Sequence, residues 1–279
     1  MRRSNQSGSV DQVTAACEVA RWEANGRRRS LGDLVTVEEP LEIRVRGEAL
    51  VVTMRTPGHD AELAAGFLLS EGLIRERADV VEVAPCALRR HGDQIVNVFV
   101  ARGAARNLEG ARRPVFVSSS CGICGKGTVD AVHQHFPPIE RPPVVKRRTI
   151  LSLPARLRKT QEVFKRTGSL HAAAIFDDEG NLVVAREDVG RHNAVDKALG
   201  WGFLEARLPW DRHILMVSGR ISFEIVQKAL AARIPVVAAV SAPSSLAVEF
   251  ARESGQVLIG FLRARAFNVY AGKECLREG

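Results

Sequence analysis

Two cysteines lie close together in a stretch rich in serine and glycine, which reads Ser-Ser-Ser-Cys-Gly-Ile-Cys-Gly-Lys-Gly over residues 118–127. The apolar run before it predicts a strand, and the residues after it predict a short helix. Amide dipoles at a helix start and the Lys126 ammonium group lower the pKa of a nearby thiol, and the thiolate is the nucleophilic form. The glycines leave the sulfur atoms unshielded. We therefore predict that Cys121 and Cys124 are the reactive centre.

A Cys-x-x-Cys pair also occurs in zinc sites, in dithiol redox centres and in sulfur carriers. A structural zinc ion needs four ligands, and the nearby candidates His133 and His135 are spaced more tightly than in zinc fingers. A thioredoxin-type motif would open a longer helix early in a βαβ unit, without three preceding serines. The remaining cysteines have no comparable surroundings; they are Cys17, Cys86 and Cys275. A zinc site therefore stays an alternative to the reactive pair.

Two polar motifs in the second half of the chain lie between a predicted strand and a predicted helix. The first, residues 186–197, crowds charged and polar groups around Arg191, and the second is Ser218-Gly219-Arg220. Ligands of α/β sheets bind outside the carboxyl ends of strands, where both motifs fall. Exposed N–H groups at a helix start and an arginine suit a phosphate. A salt-bridged corner is the alternative for the first motif.

A third motif, residues 260–270, places Arg263 and Arg265 beside aromatic residues at a strand boundary. Arginine pairs with phosphate, and a ring such as that of Phe261 stacks on a base. An ordinary basic edge hairpin is the alternative. His171 opens another predicted strand in this half, where a single histidine is most often structural.

The pattern of strands and helices predicts an α/β protein. A polar tail covers residues 1–33, an α+β domain that ends in the cysteine stretch covers 34–145, and residues 146–279 alternate strands with helices. Strands separated by helices need crossover connections, which cover both faces of the sheet. We expect a three-layer α/β/α domain with a mixed sheet.

A basic stretch separates the two predicted domains. Prolines indicate a linker over residues 137–149, and a helix follows over 154–166, capped by Ser152. Residues 141–166 hold nine Lys and Arg against one acid, Glu162. Such a surface is usually just solvated, but it can also dock an acidic partner.

Composition limits the classes of function. The formal net charge of +8 indicates anionic partners, and 5% aromatic residues argue against a stacking platform for single-stranded nucleic acid. No apolar run approaches a membrane span, and no signal peptide is evident. Five cysteines, an odd number, indicate a reducing cytoplasm. We expect a cytoplasmic protein that binds no membrane.

Together these motifs resemble the formate dehydrogenase accessory sulfurtransferase family (FdhD/NarQ), from about residue 34 to the end of the chain. The stretches that carry the resemblance are 56–58, 65–68, 71–72, 118–126, 167–171, 186–194, 218–220 and 260–270.

The resemblance implies a cytidine deaminase-like second half without deaminase chemistry. Deaminases hold zinc with His-x-Glu and Pro-Cys-x-x-Cys motifs. The corresponding helix starts here read Gly-Arg-His-Asn at 190–193 and Gly-Arg-Ile-Ser at 219–222, so we expect no catalytic zinc and no resident metal.

The resemblance also implies a sulfurtransferase that takes sulfane sulfur from a cysteine desulfurase as a persulfide on Cys121, with Cys124 assisting. It would sulfurate the molybdenum bis-guanine-dinucleotide cofactor of formate dehydrogenase, in the manner of a chaperone. Its partners would be the desulfurase, the formate dehydrogenase catalytic subunit and a second copy of itself, with no nucleic acid. A zinc-stabilised binding module without catalysis is the alternative.

The family's cofactor-binding segment corresponds to Phe261, Leu262, Arg263, Ala264, Arg265 and Ala266. The further candidate cofactor contacts are Ser218, Gly219, Arg220, Arg191, Asn193 and His171.

Overall fold

The computed structural model describes residues 10–86, 94–103, 115–117 and 136–278. The predicted reactive cysteines, Cys121 and Cys124, lie outside these ranges. His133 and His135, the candidate partners of a zinc site, also lie outside them.

A five-stranded sheet forms the first half of the described chain, in the strand order β5-β6-β3-β4-β7. Its strands are β3 Glu39–Val45, β4 Glu48–Arg55, β5 Val80–Pro85, β6 Ile95–Val100 and β7 Val115–Val117. The β3–β4 and β5–β6 pairs are antiparallel, whereas β3–β6 and β4–β7 are parallel. Alternate residues of β3 are buried, and α2 (Asp60–Ser70) packs beside the sheet. The apolar run before the cysteines, predicted as a strand, forms β7, and strands packed with one helix agree with the predicted α+β character of this half.

A six-stranded mixed sheet forms the second half, in the order β10-β9-β11-β12-β13-β14. Its strands are β9 His171–Asp177, β10 Leu182–Asp188, β11 His213–Val217, β12 Val236–Ala239, β13 Val257–Gly260 and β14 Asn268–Ala271. Strands β11, β12 and β13 are parallel, and the other pairs are antiparallel. The helices α5 Arg191–Leu204, α6 Phe223–Ala231 and α7 Ser245–Glu253 follow β10, β11 and β12.

Helices cover both faces of this sheet, as the alternation within β9 shows. Ala173 and Ile175 join the apolar cluster that contains α5, α6 and α7. Ala174 and Phe176 join a second cluster with Ile150 and other residues of the helix α3 (Arg147–Thr160) on the opposite face. The expected α/β class and the mixed sheet are therefore confirmed; the cytidine deaminase-like assignment stays a prediction.

The amino-terminal region differs from the predicted polar tail. After a short α1 (Val10–Val13), strands β1 (Thr14–Trp22) and β2 (Arg28–Thr36) pair as an antiparallel hairpin. Most of its residues are exposed on both faces, and Trp22 is 69% exposed. Because neither face is buried, the sequence lacks the apolar alternation that marks a strand.

The predicted linker is also shorter than expected. Helix α3 begins at Arg147, contains Pro154 and ends at Thr160, and a separate α4 covers Glu162–Thr167. Ser152, the predicted cap, lies inside α3. Buried Ile150, Leu153 and Leu157 recur at helical spacing on both sides of the proline, and burial of this apolar side outweighs the cost of the proline. Just before α3, the short β8 (Val145–Lys146) pairs in parallel with β15 (Leu276–Arg277).

Two glycines lie where helices from the two halves of the chain come into contact. A Cβ atom on Gly66 of α2 would lie 1.9 Å from the carbonyl oxygen of Asp196, and one on Gly200 of α5 would lie 1.8 Å from that of Glu62. Helices α2 and α5 therefore touch backbone to backbone. The apolar cluster on this side contains residues of both sheets, so the core continues across the predicted domain boundary.

We predict that Gly66→Ala lowers the free energy of unfolding by about 3 kcal/mol, because the added methyl group forces α2 away from α5. Chemical denaturation measures this change. Gly32→Ala is the matched control, since a Cβ there meets nothing within 4 Å. Equal stability of the two variants would show that the helices separate at little cost.

Candidate functional site

The predicted binding motifs meet at one edge of the six-stranded sheet. The parallel strands β11, β12 and β13 all have their carboxyl ends at this edge. Strand β9 runs the opposite way, so it begins there at His171, and β10 ends there at Asp188, which pairs with His171. The segments 189–191, 218–220 and 261–267 therefore leave the sheet on the same side. The edge corresponds to the place where α/β sheets bind ligands.

The turn after β11 contacts the start of β9. The Oγ of Ser218 accepts a hydrogen bond from the N–H of Ala172 at 2.9 Å, and the N–H of Ser218 donates to the carbonyl oxygen of Ala172 at 2.9 Å. A Cβ on Gly219 would lie 3.2 Å from Nδ1 of His171 and 3.8 Å from Cβ of Arg191. The structure thus brings together four residues that the sequence analysis took from three separate segments.

These residues leave a concentration of positive charge at the edge. The Nε of Arg191 is buried and has no hydrogen-bond partner among the described residues. Burial, and then the charge of Arg220, lowers the pKa of the Arg191 guanidinium. Burial also lowers the pKa of His171, and Arg191 and Arg220 lower it further. Because an anion would relieve both the repulsion and the missing hydrogen bond, the arrangement is suited to a phosphate.

A fully buried carboxylate, Asp188, fixes the backbone from which Arg191 projects. One of its oxygens accepts from the N–H of Gly190 at 2.8 Å, and the other lies 2.7 Å from Nζ of Lys197. Lys197, also buried, donates to the carbonyl oxygen of Thr56 at 2.8 Å, and the N–H of Thr56 donates to Asp188 at 3.2 Å. The ion pair therefore holds the loop after β4 against the junction between β10 and α5.

Asn193, a candidate cofactor contact, lies beneath the edge. It is 7% exposed, and its Nδ2 donates to the carbonyl oxygen of Met54 at 2.7 Å and to Asp188 at 3.0 Å. Its side chain thus links the two sheets. The side-chain amide nitrogen makes its hydrogen bonds to groups of the described chain.

A histidine and a glutamate that the sequence analysis did not select lie at the helix starts beside the edge. Nε2 of His192 is 2.8 Å from Oε2 of Glu224 and 3.1 Å from Oγ of Ser222. Burial alone would raise the pKa of Glu224, but the hydrogen bond and charge of His192 hold it below its ordinary value. His192 lies inside the polar junction of residues 186–197, whereas no sequence pattern marks Glu224.

The segment after β13 divides into buried and exposed parts. Leu262 is fully buried in the core, so its side chain does not line the edge. Phe261 has a φ of 50° and is 46% exposed, and its N–H donates to the carbonyl oxygen of Ser241 at 3.0 Å. The guanidinium of Arg263 donates to the carbonyl oxygen of Val240. The remaining candidates of this segment are exposed; they are Ala264, Arg265 and Ala266.

The strand that precedes the cysteines ends near this edge. Strand β7 runs parallel to β4 and pairs Val117 with Thr53. Oγ1 of Thr53 donates to Oδ1 of Asn193 at 3.4 Å, below the Arg191 junction. Cys121 lies outside the described residues, and three residues of sequence, 118–120, separate it from Val117.

Two further findings concern metal binding and membrane crossing by the described residues. Within them, no group of three or more His, Cys, Asp or Glu residues lies close enough together to hold a metal ion. No helix in the same ranges is sufficiently long and apolar to cross a membrane.

Comparisons with known sequences give one consistent family. A family model described as the FdhD/NarQ family matches residues 36–277. A relative from Streptomyces coelicolor, named sulfur carrier protein FdhD, is 51% identical over 272 residues, which cover 95% of this chain and 96% of the relative. A relative from Sulfolobus acidocaldarius with the same name is 43% identical over 250 residues, which cover 90% of this chain and 94% of the relative.

A comparison with solved structures agrees with the sequence matches. A crystal structure from Desulfotalea psychrophila, described as that of a formate dehydrogenase accessory protein, matches with a TM-score of 0.75 and 22% identity. The match covers 95% of this chain and all of that chain. At this identity the likeness shows the fold.

We predict that Asp188→Asn lowers the free energy of unfolding by about 3–5 kcal/mol, because it leaves the Lys197 ammonium group buried without its counter-charge. The double variant Asp188→Asn/Lys197→Met should lose clearly less than the sum of the two single variants, as chemical denaturation measures. Strictly additive losses would show that the two groups do not interact.

Proposed function

The chain belongs to the FdhD/NarQ family, and we propose from this premise that it is a sulfur carrier protein whose carrier residue is Cys121. In the proposed reaction it takes sulfane sulfur from a cysteine desulfurase. It passes that sulfur to the molybdenum bis-guanine-dinucleotide cofactor that formate dehydrogenase requires. The names of the relatives support sulfur carriage, and the persulfide and its acceptor are our proposal.

The transfer to Cys121 is a thiol–persulfide exchange. The Cys121 thiolate attacks the terminal sulfur of the donor's cysteine persulfide, the donor's sulfur–sulfur bond breaks, and the donor cysteine leaves as a thiolate. No external oxidant or reductant is needed, because one persulfide replaces another. In the release step the Cys124 thiolate attacks the inner sulfur of the Cys121 persulfide, which frees hydrosulfide for the cofactor. The resulting Cys121–Cys124 disulfide is returned to the dithiol by an external thiol.

The observation that carries the proposal is the meeting of separate segments at one sheet edge. Arg191 and Arg220 supply positive charge that suits the phosphates of a guanine dinucleotide, and the imidazole of His171 lies beside them. The exposed ring of Phe261 stands at the same edge, where a base could stack on it. Strand β7 leads into the cysteines and pairs with β4. In β4, Thr53 contacts Asn193 of the same junction. Sulfur and acceptor would thus be held close together.

The proposed setting is the cytoplasm. The desulfurase and the formate dehydrogenase catalytic subunit would be the protein partners, and the chain would act as a homodimer. A zinc-stabilised binding module without catalysis is the second candidate, on the basis of Cys121, Cys124, His133 and His135.

We predict that Cys121→Ser abolishes the maturation of formate dehydrogenase while leaving the fold intact. Incubation of the wild-type protein with a cysteine desulfurase and cysteine should add the mass of one sulfur atom to the peptide that contains Cys121. Cys86→Ser is the control, because Cys86 is another free cysteine and should not affect either result.

A peptide that gains no sulfur would refute the carrier role of Cys121. Stoichiometric zinc in the purified protein, lost together with the fold in Cys121→Ser, would favour the binding module instead.

We further predict that Arg191→Ala and Arg220→Ala each weaken the binding of guanosine diphosphate by about 10-fold or more, since each removes a charged donor to phosphate. Isothermal titration calorimetry gives the affinity. Arg212→Ala is the control, because Arg212 lies at the opposite edge of the sheet, paired with Asp178. Unchanged affinity in both edge variants would place the phosphates elsewhere.

The same titration should depend on pH through His171. Its pKa is lowered in the free protein, so the imidazole is neutral near pH 7. A bound phosphate favours the charged form and raises that pKa, so binding takes up a proton and affinity increases as the pH falls. The variant His171→Gln should lose this dependence, whereas an equal slope in both proteins would assign the proton to another group.

A further inference from the structure

Helices α3 and α4 present a strongly basic surface that the proposed sulfur chemistry does not use. We call this surface the basic face; it consists of Arg147, Arg148, Arg158, Lys159, Lys165 and Arg166, all of them exposed. The apolar side of α3 packs into the core, so the cations point to solvent from the opposite side. At 1.5 Å per residue, α3 alone extends this surface over about 21 Å.

Most of this charge has no counter-charge within the described chain. Lys165 pairs with Glu162 at 3.1 Å, and Arg158 lies over the ring of Phe164 with 4.6 Å between the guanidinium carbon and the ring centroid. The other cations form no ion pair with any described carboxylate; they are Arg147, Arg148, Lys159 and Arg166. The repulsion among them is therefore left for solvent or a partner to offset.

The first turn of α3 adds to this imbalance. Arg147 and Arg148 occupy the start of the helix, where the helix dipole favours negative charge. The turn contains no acidic residue, and the side chain of Lys146 at the cap position makes no capping hydrogen bond. Sequence rules broken without compensation inside the chain are typical of functional surfaces.

The basic face also borders the edge that holds the predicted binding motifs. The carboxylate of Glu187 accepts hydrogen bonds from the N–H groups of Val163 and Phe164, both at 3.0 Å, and so fixes the start of α4. Glu187 directly precedes Asp188, and α4 leads through residues 168–170 to His171. A partner seated on α4 would therefore lie next to the edge.

We propose that the basic face docks an acidic surface of a protein that exchanges sulfur or cofactor at the neighbouring edge. The proposal rests on the proposed function, from which it takes sulfur or cofactor as the exchanged group. It takes the acidic character of the partner from charge complementarity. Binding would place the partner's reactive group beside the edge and would bring carboxylates to the uncompensated first turn of α3.

A protein fits this surface better than the other anionic classes. The apolar residues of α3, Ile150, Leu153 and Leu157, are buried in the core and cannot enter a membrane. The ring of Phe164 is covered by Arg158, which removes it as a stacking platform for bases. Val144, 52% exposed just before α3, offers the apolar contact that protein interfaces combine with a charged rim.

The test compares two triple variants with the same loss of charge. Arg148→Gln/Lys159→Gln/Arg166→Gln neutralises the basic face, and the control Arg75→Gln/Arg102→Gln/Lys273→Gln neutralises exposed residues elsewhere. Purified cysteine desulfurase, purified formate dehydrogenase catalytic subunit and a duplex oligonucleotide are titrated at low and physiological salt. We expect the first variant to bind at least one of the two proteins 10-fold or more weakly, with a shallower salt dependence, and the control to stay within about 2-fold of wild type.

Unchanged affinity for both proteins, or an equal loss in the control, would overturn the proposal. A loss confined to the duplex would overturn it as well and would assign the surface to nucleic acid. Loading of Cys121 from a small-molecule persulfide is measured in the same variants. Failure of that loading in wild type would refute the sulfur-carrier function, whereas the docking result would stand by itself.

Discussion

The close contact between α2 and α5 determines how the two sheets are placed against each other. Because Gly66 and Gly200 carry no side chain, the two helices meet at their backbones, and the first sheet is held against the second. Buried polar groups then fix the register: Asp196 accepts from Ser70 of α2 and pairs with Lys228 of α6, all at 2.8 Å. The edge of the second sheet therefore faces the end of β7 in a defined orientation.

Two charged groups in the interior lie beside groups of opposite charge, whereas the arginines at this edge lie near each other. The interior lysines, Lys197 and Lys228, each have a buried aspartate, because an unpaired charge in the interior would cost several kcal/mol. At the edge, burial and then the charge of nearby Arg220 instead lower the pKa of Arg191. The excess of charge at the edge therefore contrasts with the pairing of these two lysines.

The sequence predicted most of the second sheet because its strands are short apolar runs between clear helix signals. Polar motifs at strand ends also predicted that Arg191 and residues 218–220 bind a ligand, whereas His171 became a candidate only through the family resemblance. The hairpin of β1 and β2 could not be found in this way, since its faces are exposed. The pairing of His192 with Glu224 joins residues 32 positions apart, and only the packing of α5 beside α6 brings them together. Leu262 and Asn193 lie in segments that were predicted to bind the cofactor, yet both side chains are buried. The sequence of a segment does not reveal which of its side chains face the core.

The contact between α2 and α5 also has a consequence for biosynthesis. Ser70 and Asp196, which it joins, are 126 residues apart, so α2 emerges from the ribosome long before its partner helix exists. During that interval the apolar side of α2, including Leu63 and Leu68, has nothing from α5 to cover it. Long-range contacts of this kind slow folding and expose nascent chains to aggregation. The apolar side of α2 is therefore open to aggregation until α5 has been synthesised.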